Sequence, residues 1–131
     1  MKTLELWHRF VTTQNPEILN EILADDCTFH SPVVWKPKEG RQVVTAVLTA
    51  ASQVFEDFEY VREVVDDKNA VLEFEAKIGG LTVRGVDIME IGDDGKIVDF
   101  EVMIRPANGL QAVGMAMTAK LGALSGDRGQ E

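Results

Sequence analysis

Disulfide chemistry within the chain is excluded at once, because Cys27 is the one cysteine in 131 residues. That usage suits a reducing compartment. Cations are scarce as well: 13 Lys and Arg stand against 22 Asp and Glu, a net charge of −9. This balance argues against nucleic acid and against an anionic membrane surface, since both select for clustered Lys and Arg. Two histidines, His8 and His30, and Cys27 are scattered at no metal-ligating spacing. Gly79-Gly80 and Gly92 to Gly95 read as hairpin turns, not as a phosphate-binding loop. No stretch approaches the roughly 20 apolar residues of a membrane span, and Met1 to Trp7 lacks the long apolar run of a signal peptide. The expectation is a cytoplasmic protein with no cofactor, no metal, no nucleic-acid partner and no membrane. What the chain does have is an ordinary globular hydrophobic content, 45%, and a length that fits one domain with one core.

Apolar residues at helical spacing open the chain, through Leu4, Leu6, Trp7, Phe10 and Val11. Asn15-Pro16-Glu17 restarts a second helix with a capping residue, a first-turn proline and an acid at the positive end of the dipole. Its stripe is Ile18, Leu19, Ile22 and Leu23, and Ala24-Asp25-Asp26 ends it. Cys27 to Val34 reads as a strand with Cys27, Phe29, Ser31 and Val33 on one face and Pro32 marking an edge or bend. Pro37 to Gly40 is a loop, and Arg41 to Val54 returns to helical spacing. The period then changes to two. Strands are predicted over Phe58 to Val65, Ala70 to Ile78, Leu81 to Ile91 and Lys96 to Arg105, with a tight turn at Gly79-Gly80. Leu110, Val113, Met117 and Leu121 stripe a last helix. One domain is expected over residues 1–124, followed by a polar, Gly-rich tail from Ser125 to Glu131, expected to be disordered. Helices grouped ahead of an antiparallel meander indicate an α+β fold.

Asp87 stands out. Its strand face carries Leu81, Val83, Gly85, Met89 and Ile91, so it is the one polar residue among apolar neighbours. A carboxyl there is costly to ionise, and such positions often serve function.

Three stretches carry a family resemblance: Leu23 to Pro32 followed by Gly40, Gly85 to Glu90 followed by Gly95-Lys96-Ile97, and Val102 to Pro106. The chain resembles the nuclear transport factor 2-like superfamily, SnoaL-like branch, over roughly residues 3 to 120. The resemblance implies a cone-shaped, strongly curved antiparallel sheet wrapped by helices, a cystatin-like α+β arrangement with a ligand pocket inside. It places Asp87 on the protonated acid that ketosteroid isomerases use to donate to an oxyanion. It also places Trp7 on their oxyanion tyrosine and Ser31, before Pro32, on their general base. Serine cannot abstract a carbon-bound proton without a base of its own, so that isomerase mechanism is not expected. His30 leaves the strand opposite Phe29 and Ser31, and only a bulge or bend at Pro32 turns it inward. The Arg and paired Asp of epoxide hydrolases are not matched, since Arg84 and Asp87 fall on opposite faces.

The expected function is binding of a small hydrophobic molecule bearing a carbonyl or hydroxyl group. Asp87 is the expected acid or hydrogen-bond donor, and Trp7, Phe29, Ser31, Phe74, Phe100, Val102 and Ile104 are the expected ligand contacts. Proton-transfer chemistry (isomerisation, cyclisation or dehydration) competes with a non-catalytic binding dimer. The outer sheet face mixes Val86, Ile88, Ile97 and Met103 with Arg84, Glu90, Asp99, Glu101 and Arg105, which suits a homodimer interface.

Overall fold

A computed structural model describes residues 1–125. Helix α1 (Lys2–Thr13) and the short α2 (Glu17–Ile22) lead into strand β1 (Leu23–His30). A two-residue strand β2 (Lys38–Glu39), helix α3 (Arg41–Val54) and four long strands follow: β3 (Glu56–Asp66), β4 (Asn69–Ile78), β5 (Leu81–Ile91) and β6 (Ile97–Arg105). Helix α4 (Ala107–Ser125) comes last. The polar tail expected from Ser125 therefore begins inside α4, and the rest of it lies outside the described residues. No helix among the described residues is long and apolar enough to cross a membrane.

The six strands form one curved sheet in the order β2-β1-β6-β5-β4-β3. β3 to β6 are the expected antiparallel meander, but β1 joins β6 in parallel. Gly79 and Gly80 close the β4–β5 hairpin with φ of 54° and 84°, the left-handed pair that a two-residue hairpin turn demands. The helices lie on the concave face. Trp7 and Phe10 from α1, Leu19 from α2 and Val44, Val47 and Leu48 from α3 pack there against Leu72, Met89 and Phe100. Alternation along β5 holds as read, with Val83, Gly85, Asp87, Met89 and Ile91 buried and Thr82, Arg84 and Glu90 exposed.

Four local expectations change. Leu23 leaves the helical stripe to begin β1 opposite Ile97, because tertiary pairing outweighs helical periodicity at the end of so short a helix. β1 stops at His30 instead of reaching Val34. Pro32 has no N–H to donate, and Ser31 Oγ accepts the N–H groups of Val33 (3.0 Å) and Val34 (3.4 Å), so the chain turns. The loop before α3 contains β2, whose Lys38 sits opposite Phe29. Ile97 does not join the outer face. A register shift between Glu90 and Ile91, opposite Asp99 and Ile97, turns its side chain into the core.

Candidate functional site

The concave face of the sheet and the helices above it enclose a cavity of about 460 Å³, a size in the range of small-molecule sites. α1 supplies Trp7 and Phe10, and α3 supplies Val47 and Leu48. α4 adds Val113 and Met117, and the strands give Phe29, Phe58, Phe74 and Phe100. Ser31, Val102, Ile104 and Asp87 complete the set of residues singled out in the sequence, so all eight lie on one wall system.

Asp87 is 6% exposed. In register it lies between Leu72 on β4 and Val102 on β6, so both strand neighbours are apolar. The partner that sequence reasoning missed is Tyr60, the chain's single tyrosine. Its hydroxyl donates to Asp87 Oδ2. Trp7 Nε1 in turn donates to the Tyr60 oxygen at 2.9 Å. Indole, phenol and carboxyl thus form one directed chain, in which each bond polarises the next. Trp7 occupies the wall as expected, but its N–H is taken up by Tyr60 and is not presented to the cavity. Nothing among the described residues is hydrogen-bonded to the second carboxyl oxygen, Asp87 Oδ1, and Asp87 lines the cavity.

Burial pushes the Asp87 carboxyl up from 3.8 to about 7, against the opposing pull of the Tyr60 hydrogen bond. Tyr60 is pushed well above the usual phenol value, first by burial and then by the neighbouring Asp87 charge. The phenol therefore stays a neutral donor while the carboxyl titrates near neutrality. Aromatic packing holds Tyr60 in place: Phe58 meets it edge-on at 5.1 Å, and Phe58 stacks on Phe74 at 4.8 Å.

The other candidates lie away from this centre. His30 projects to the outer face, where its Nε2 lies 2.9 Å from Asp99 Oδ1, so no bend turns it inward. Arg84 donates to Glu75 at 3.0 Å on the same outer face. His8 pairs with Glu63 at 2.7 Å. Cys27 is buried at 1% exposure, and burial pushes its thiol up, as a small hydrophobe in a core behaves. Among the described residues no cluster of His, Cys, Asp and Glu could hold a metal.

A SnoaL-like domain model matches residues 4–100. The chain belongs to the SnoaL-like family. A steroid delta-isomerase structure from Pseudomonas aeruginosa is 40% identical, with a TM-score of 0.91 over 95% of this chain and 92% of that one. An uncharacterised bacterial protein with a cystatin-like fold from Silicibacter pomeroyi is 36% identical, with a TM-score of 0.86 over 90% and 84% of the two chains. A nuclear transport factor 2-like protein of unknown function from Mesorhizobium loti shares the fold at 24% identity, with a TM-score of 0.69 over 79% and 91%. No curated protein matches this SnoaL-like chain. The α+β class and the superfamily resemblance read from the sequence are thus established, and the fold is related to that of isomerases and polyketide cyclases.

Proposed function

We propose that this SnoaL-like protein binds a small, apolar, carbonyl- or hydroxyl-bearing molecule in its cavity and acts on it by acid-assisted proton transfer, as in isomerisation or cyclisation. One observation carries the reading: a carboxyl with one free oxygen and a pKa near neutrality sits on the wall of an apolar cavity, with Tyr60 bonded to its other oxygen. Protonated Asp87 donates to the ligand's carbonyl oxygen. As negative charge gathers on that oxygen, in an enol-forming step whose carbon-bound proton passes to solvent water because Asp87 is the only carboxylate on the wall among the described residues, the bond strengthens. The similarity to a steroid delta-isomerase structure supports the same reaction class. The remaining residues singled out in the sequence, from Trp7 to Ile104, surround the ligand body.

The rival reading, a binding protein without turnover, draws on Ser31. It stands where ketosteroid isomerases keep their base, and its oxygen is engaged by two backbone N–H groups. Asp87 is the only carboxylate on the cavity wall among the described residues.

A ketone that accepts but cannot donate a hydrogen bond tests the site. With 2-acetylnaphthalene as probe, calorimetric affinity should be flat below pH 6 and fall about tenfold per pH unit above about 7. In Asp87→Asn the dependence should vanish, because the amide donates at every pH. A pH-independent wild-type affinity would remove Asp87 from the binding site.

The reading includes a homodimer formed through the outer sheet face. There the half-buried Val86 and Ile88 and the exposed Met103 lie beside the Arg84, Glu73 and Glu75 ion pairs. Light scattering should give twice the chain mass of 14.5 kDa, and a monomer mass would overturn this part. The single buried cysteine fits a cytoplasmic setting.

A further inference from the structure

We infer that Lys38 makes the rim of the cavity an anion site, so that the ligand is an elongated apolar ketone or alcohol carrying a carboxylate at its far end. The inference rests on the cavity reading above and specifies the substrate class for it.

Three observations combine. Lys38 lies directly opposite Phe29 in the β1–β2 ladder, and residues directly opposite in an antiparallel pair project from the same face. Phe29 faces the cavity, so Lys38 does too, and both line it. Lys38 is also the only cationic side chain on that wall among the described residues, and no carboxylate there pairs with its ammonium. Arg41, Arg62, Lys68 and Arg84 all have carboxylate partners elsewhere in this acidic chain.

Nearby, Ser31 also lines the cavity. Its oxygen accepts the N–H groups of Val33 and Val34, which leaves the hydroxyl hydrogen to donate. An ammonium and a hydroxyl donor at the edge of an apolar cavity suit a carboxylate.

The sheet order sets the length of the ligand. Lys38 is on β2 and Asp87 on β5, three strand steps apart in the order β2-β1-β6-β5. At about 4.8 Å per step that is roughly 14 Å across the sheet. The row from Lys38 runs through Phe29 and Phe100 to Met89, so Asp87 stands two residues further along β5, and the lysine side chain itself spans part of the gap. The floor between them is paved by Phe29 and Phe100, stacked with centroids 6.0 Å apart. A flat ring system of two or three rings fits that strip, with its oxygen at Asp87 and its carboxylate at Lys38.

The test compares 2-acetylnaphthalene with 6-acetyl-2-naphthoate and its homologue two methylenes longer, 3-(6-acetyl-2-naphthyl)propanoate, by calorimetry at pH 6. Wild type should bind at least one of the two carboxylates three- to tenfold more tightly than the neutral ketone. Lys38→Gln should abolish that preference, and Lys38→Arg should keep it. Asp87→Asn should leave the carboxylate preference in place. No preference in wild type, or a preference that survives Lys38→Gln, overturns the assignment while ketone binding leaves the cavity reading standing. Failure of wild type to bind any of the three overturns both.

Discussion

Replacing Asp87 by Asn should stabilise this protein, and by an amount that grows with pH. The folded carboxyl has a pKa of about 7 against a model value of 3.8. Between those values the folded state holds a proton that the unfolded state has released. The unfolded state then binds fewer protons, so wild-type stability falls as pH rises from about 4 to about 7 and is level above that. At 1.36 kcal/mol per pH unit, the full loss is on the order of 4 kcal/mol. Asn has no such ionisation. It keeps a carbonyl oxygen to accept from Tyr60 and puts an amide where the acid proton was. Other carboxylates titrate in both proteins, so their contribution cancels in the difference between the two. The assay is urea unfolding of wild type and Asp87→Asn at pH 4.5, 6, 7 and 8. The stability difference should move in favour of Asn by about 3 kcal/mol across that range. A constant offset near 1 kcal/mol is expected from the changed hydrogen bond alone. Two parallel pH curves would refute a carboxyl titrating near neutrality in the fold, and with it the reason for calling Asp87 an acid.

Tyr60→Phe removes the hydrogen bond that holds Asp87 down, so the Asp87 pKa should rise above about 7 by carboxyl-carbon NMR; a fall or no change would show that the Tyr60 bond does not stabilise the carboxylate. Trp7→Phe leaves the Tyr60 oxygen without its donor and should lower unfolding stability by about 1–3 kcal/mol, with an unaltered urea midpoint counting against the indole–phenol bond. Gly85→Ala would place a Cβ 2.4 Å from the Met103 carbonyl oxygen and 2.5 Å from Phe74 Cζ, so the strand pair or the cavity ring must shift. A loss of about 1–3 kcal/mol in urea unfolding is expected, and an unchanged midpoint would mean that Phe74 yields freely.

Asp87 was legible in the sequence because a two-residue period exposes one polar residue on an apolar face, and β5 keeps that period through all eleven residues. Phe29, Phe74, Phe100, Val102 and Ile104 were legible for the same reason. Tyr60 was not, although its signal was present. Phe58 and Tyr60 alternate on the predicted strand that forms β3, but Val61, Val64 and Val65, all more than two-fifths exposed, blur the period around them. A register shift between Tyr60 and Arg62 breaks it outright. Periodicity reports burial, and the hydrogen bond to Asp87 joins residues 27 apart. Lys38 was read as loop because two residues are too short to show any period. Ile97 was misplaced because a bulge reverses faces and leaves no local mark in the sequence.

The wall composition restricts the chemistry more tightly than the fold does. A two-group mechanism, in which one residue takes a proton from carbon while another donates to oxygen, gives a rate that falls at both low and high pH. On this wall Asp87 is the only carboxylate among the described residues, and Tyr60 is held well above the usual phenol value. Turnover by Asp87 as acid should therefore follow one ionisation. For any ketone the protein converts, kcat/KM should be level from about pH 5 to 6 and decline through about pH 7, tenfold per unit thereafter. Tyr60→Phe should move that decline to higher pH together with the Asp87 pKa, a coupling that a purely structural tyrosine would not produce. A rate that rises through pH 7 would make Asp87 the base. A bell with a limb below pH 6 would require a second carboxylate, which this wall does not hold among the described residues, and either profile would overturn the acid assignment.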